Sequence, residues 1–137
     1  NSPAELNGSW LSTCELLDAD FPDGGYWTQL AVIDNGFISL VDQFFEDANC
    51  ISPLPVTTTI EGFYSTGGDI VVSGMQATEI DLVATDLFGL SINFIEYDVI
   101  SVDGNQLFLG LPTNERDGSS SSQRFNILDL DNPYTRQ

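Results

Sequence analysis

The feature that most constrains this chain is a succession of short apolar runs, rich in β-branched and aromatic residues, each closed by a glycine-containing turn. Asp34-Asn35-Gly36 separates the run from Tyr26 to Ile33 from the run Phe37 to Glu46. Asn-Gly supplies the positive φ angles of a type I′ turn, so the two runs are expected to pair as an antiparallel hairpin. Asp103-Gly104 stands in the same relation to Tyr97–Val102 and Gln106–Leu111. Ser65-Thr66-Gly67-Gly68 is expected to turn the chain between Val56–Tyr64 and Asp69–Ser73. After Gly74, the segment Ala77–Thr85 alternates Ile80, Leu82 and Ala84 with Glu79, Asp81 and Val83, the period of a half-buried strand.

With Gly8–Cys14 and the run from Leu90 to Phe94 with its continuation, about eight candidate strands recur at spacings of roughly 10 to 15 residues. No room is left for the crossover helices that parallel strands need, so the fold class is all-β, an antiparallel up-and-down meander forming a sandwich or a barrel. Thr113–Gln123, with Asp117-Gly118 and four consecutive serines, is expected to be a flexible surface loop. Arg124–Leu130 is expected to return as the last short strand before Pro133. Neither an internal repeat nor a linker divides residues 1–137, which are expected to form one domain.

Charge narrows the partners. Twenty-one Asp and Glu face three Arg, with neither Lys nor His, for a net charge of −18. Nucleic acid and anionic membrane surfaces are bound through clustered cations, so both are excluded as partners. A cationic partner, or a neutral ligand in a site shielded from the surface field, is compatible with this charge. Apolar residues at 42% make the chain globular despite its acidity. The opening Asn1-Ser2-Pro3 is expected to be the start of a mature or trimmed product, secreted or periplasmic.

Catalytic options are few. Without His or Lys there is no base for a serine triad and no imidazole for a zinc site. Paired carboxylates could serve a glycosidase, but 21 acids give that idea no specific residues. The expectation is a non-enzyme without cofactor. Asp18, Asp20 and Asp23 precede Gly24 in a partial calcium-loop pattern that lacks a distal Glu and flanking helices, and a turn explains them equally well, so no metal site is expected. Cys14 and Cys50, an even count in a chain of extracytoplasmic character, are expected to form a disulfide, the alternative being two buried thiols.

Gly8-Ser9-Trp10 opens the first strand, and Arg124 near the far end is expected to stack on that indole where the first and last strands meet. This combination resembles the lipocalin and wider calycin superfamily, with its G-x-W on the first strand and a late Arg closing the barrel floor. The family's Thr-Asp-Tyr-type turn and C-terminal helix have no counterpart. A longer pattern, Gly8-x-Trp10, Cys14, Asp47-x-x-Cys50, Glu61-Gly62-x-Tyr64, Ile80-Asp81, Arg124 and Leu128-Asp129, is similar to a group of uncharacterised secreted or lipid-anchored bacterial proteins. More remotely it is similar to the calycin-like ectodomain of animal Wnt antagonists. The resemblance implies an eight-stranded barrel carrying a small apolar ligand, with Tyr64, Ile80 and Phe94 as expected lining residues. The rival expectation is a structural or adhesive protein acting through its acidic surface, with calcium.

Overall fold

The computed structural model describes residues 3–18 and 25–137. One helical turn, α1 (Pro3–Leu6), is followed by nine strands: β1 (Gly8–Leu11), β2 (Glu15–Leu16), β3 (Tyr26–Asp34), β4 (Phe37–Phe45), β5 (Pro53–Val72), β6 (Met75–Leu87), β7 (Leu90–Asp103), β8 (Gln106–Leu109) and β9 (Tyr134–Arg136). All pairings are antiparallel, and from β3 to β9 each strand lies beside its sequence neighbour. β1 pairs with both β3 and β9, which closes eight strands into a barrel. β2 continues along β3 beyond β1, as the extra strand.

The turns follow backbone chemistry. Asn35 and Gly36 take φ 45° and 90°, the left-handed pair that the hairpin between β3 and β4 demands. Ser73-Gly74 and Phe88-Gly89 do the same at the two hairpins that bracket β6. The expected turn at Ser65–Gly68 is absent. β5 runs straight through it as one strand, with a register shift between Thr66 and Asp69 against β6. A Gly-Gly pair permits a bulge as readily as a turn, and here it lies against Glu79 of β6.

The inward positions of the barrel form the main core: Trp10, Ile33, Tyr64, Ile80, Ile100 and Leu107, with Leu6 of α1 packed among them. Alternate residues of the same strands, Val99 and Phe108 among them, face outward and would be exposed on a bare barrel. The segment after β8 covers them: Phe125 and Leu128 pack on Val72, Ala77, Val99 and Phe108 as a second cluster. Burying each such side chain is worth about 1.5–3 kcal/mol, enough to fix the segment in place. The expected flexible loop is therefore a hydrogen-bonded cover, with Gly118 accepting from the Tyr97 amide at 2.9 Å and a short 3-10 helix at Ser121–Gln123. The expected strand at Arg124–Leu130 reduces to one bridge, Leu128 to Gly110, and the last strand is β9, beyond Pro133.

The arginine on Trp10 is Arg136 rather than Arg124. β9 sets Arg136 directly opposite Trp10, and its guanidinium carbon lies 4.0 Å from the indole centroid. Arg136 also donates to the carbonyls of Asn7 at 2.9 Å and Glu5 at 3.0 Å, while Trp10 Nε1 donates to Leu6 O at 2.8 Å. The indole, the guanidinium and α1 thus shut one end of the barrel. Gly8 is needed there, since at φ 136° a Cβ would stand 2.9 Å from the Arg136 guanidinium. Arg124 belongs to the covering segment and meets another ring, Tyr97, at 5.3 Å. It clips neighbouring strands together, donating to the carbonyls of Ile80 and Asp98 and pairing with Asp81 at 2.7 Å and Glu79 at 3.5 Å.

At the other end Cys14 and Cys50 form a disulfide with a Cα–Cα distance of 5.9 Å. It ties the β1–β2 junction to the corner between β4 and β5. A structural disulfide of this kind points to an oxidising, extracytoplasmic environment.

Candidate functional site: an apolar barrel mouth with acids on its inner wall

The barrel is filled at the end that Trp10 shuts and open at the other. Leu40 and Ile60 are cross-strand partners, as are Leu82 with Glu96 and Ala84 with Phe94, so these six share the inward face of β4 to β7. They line an open cavity of about 490 Å³. Ala84 is the small member of the set, and the bulge at Glu61-Gly62 opposite it holds the strands in curvature. A Cβ on Gly62 would collide with the Val83 carbonyl, so only glycine allows β5 and β6 to approach so closely here. The tip of the β6–β7 hairpin leaves Phe88 and Leu90 largely exposed at the rim.

Polar groups continue the inner wall. Asp42, two residues beyond Leu40, accepts from Gln29 Nε2 at 2.9 Å and from the Thr58 hydroxyl at 3.4 Å. Tyr134 donates its hydroxyl to Gln29 Oε1 at 2.6 Å. Asp98 is buried and accepts from the amides of Val99 at 2.7 Å and Gly110 at 2.9 Å. Burial pushes the Asp98 carboxyl far above the usual carboxylate range, and the neighbouring Glu96 adds to the effect. Burial also raises Glu96, Asp42 and Glu15, the last helped by Asp129. Tyr134 is shifted upward as well, first by burial and then by the surrounding carboxylates.

No cation answers these acids. Arg116 donates to the Arg124 carbonyl, Arg124 is held by Asp81 and Glu79, and Arg136 lies at the shut end; the chain has no other basic side chain. A carboxyl whose folded pKa is raised favours folding fully below its unfolded value, and that contribution is lost as pH rises through the folded value. Stability is therefore expected to increase as pH falls from neutral toward about 4, the ordinary carboxyl value. Below that it should decline, because Asp47 is held low by the amides of Ser52, Ile51 and Asn49, and Asp117 by the Ser119 hydroxyl and amide. Urea midpoints taken across this range test the picture; a steady loss from neutral pH downward contradicts it.

Of the residues expected to line a ligand site, Phe94 lines the cavity. Tyr64 and Ile80 lie in the filled core beneath it, and the Tyr64 hydroxyl has no hydrogen-bond partner among the described residues. Sequence reasoning missed the other lining residues: Leu40, Ile60, Leu82, Ala84, Leu87, Ile92 and Glu96. Glu96 carried a signal: it occupies the same alternate face as Ile92, Phe94 and Ile100, where a solvated acid is out of place. Of the calcium triad, Asp18 is exposed, while Asp20 and Asp23 lie outside the described residues. Among the described residues, no group of three or more His, Cys, Asp or Glu could hold a metal ion. The chain matches no protein-family model and no curated protein.

Proposed function

We propose that this chain is a non-enzymatic binding module, lipocalin-like and secreted, periplasmic or lipid-anchored, whose barrel mouth takes one small neutral apolar or amphiphilic ligand. The observation that carries this reading is the open cavity of about 490 Å³ above a filled core. Pockets that hold small molecules fall between about 300 and 1,000 Å³, and an eight-stranded barrel has room for one such ligand. A structural or adhesive protein working through its acidic surface has no use for an unfilled apolar interior.

The test uses N-phenyl-1-naphthylamine, a neutral probe that fluoresces in apolar surroundings. It is expected to bind the native protein, and Ala84→Phe, which fills the cavity, should weaken binding by about tenfold or more while leaving the fold intact. A probe that fails to bind, or binds the variant equally well, would overturn the reading and leave the acidic surface, with a cationic partner, as the alternative.

A further inference from the structure

We propose that the preferred ligand is an apolar amine, its hydrocarbon body in the barrel mouth and its ammonium group on Glu96. This rests on the cavity being a ligand site and replaces the neutral head group of that reading with a cationic one. Glu96 is the ionisable residue in a lining that is otherwise hydrocarbon: Leu40, Ile60, Leu82, Ala84 and Phe94. A half-buried carboxylate facing such a lining is poorly solvated, and a cation that follows it in recovers that loss in surroundings where charges interact strongly. The protein supplies no such cation, because its three arginines are engaged elsewhere and it has neither Lys nor His.

The neighbouring acid sharpens the choice. Asp98 is 2% exposed and shares the inward face of β7 with Glu96. Two carboxyls so placed resist ionising together, and burial raises both, Asp98 more strongly than Glu96, which is the one of the pair that lines the cavity. An incoming ammonium group therefore meets Glu96, and the buried Asp98 lies behind it. A divalent ion does not fit, since calcium takes about 6–8 oxygen ligands, whereas Asp98 beside Glu96 already accepts two amides and no third acid joins them among the described residues. An anionic amphiphile meets the same carboxylate as repulsion. The exposed apolar rim at Phe88 and Leu90 continues the hydrocarbon lining outward and suits an alkyl or aryl body.

The experiment titrates decylamine, decanol and decanoate, which share a chain and differ in head group, by calorimetry at neutral pH and physiological ionic strength. Decylamine is expected to bind about tenfold more tightly than decanol, and decanoate about tenfold more weakly than decanol. Glu96→Gln should remove the preference for the amine over decanol. Asp103→Asn, which removes one exposed surface charge, should keep the preference. Equal affinity for amine and alcohol overturns the assignment and leaves the cavity reading standing, as does a preference that survives Glu96→Gln or vanishes in Asp103→Asn. Failure of all three compounds to bind overturns the cavity reading together with it.

Discussion

Trp10→Ala is expected to cost about 3–5 kcal/mol, the range for removing a buried tryptophan. Trp10 is 0% exposed and joins three elements at the shut end of the barrel: α1 through Leu6, β3 through Ala31, and β9 through Arg136. Its loss opens a cavity, frees the Leu6 carbonyl and takes away the face on which the guanidinium rests. Arg136→Ala should cost less, about 1–3 kcal/mol, by leaving the half-buried Asn7 carbonyl without its donor and removing the cation from the Trp10 ring. The pair is strongly coupled, so the double variant should fall short of the sum of the single ones. Urea unfolding of the three variants measures this. Additive effects, or a Trp10→Ala cost below about 1 kcal/mol, would show that the barrel does not depend on this closure.

The elements legible in the sequence were those whose signal is local. The β3–β4 hairpin could be read because Asn35-Gly36 needs nothing beyond its own backbone to specify the turn. Gly67-Gly68 misled because glycine marks any departure from regular backbone, and only the register with β6 distinguishes a bulge from a turn. Strand β9 was missed for a different reason. Three residues after a proline carry no periodicity, and Tyr134–Arg136 becomes a strand only because β1 and β8 are there to pair with it. The place of Arg136 on Trp10 is illegible for the same reason, since it depends on where the chain ends up after it has covered the outward face of β7 and β8. The disulfide was legible from cysteine count and compartment. The cavity was not, because whether facing side chains meet or leave space depends on barrel curvature, here set partly by the bulge at Gly62.

Removing the disulfide with Cys14→Ser and Cys50→Ser is expected to lower stability by about 4 kcal/mol, from the chain entropy of a closed loop with a sequence separation of 36. The native state contributes to the same result. Cys50 sits at φ 52°, a left-handed conformation that a non-glycine residue holds only when its surroundings enforce it. The surrounding corner is built on Asp47, whose carboxylate accepts from the amides of Asn49, Ile51 and Ser52 at 2.8 to 3.3 Å. The bridge fastens that corner to the β1–β2 junction at the open end of the barrel, where β2 contributes only two residues of pairing. Without the bridge the junction would be held by this short ladder, by the hydrogen bonds between Ser12 and Gln29, and by that from the Leu17 amide to Gly25. Urea unfolding of the oxidised protein and the double serine variant at neutral pH measures the difference. A loss below about 1 kcal/mol would mean that the corner and the short ladder hold the mouth together without the covalent link.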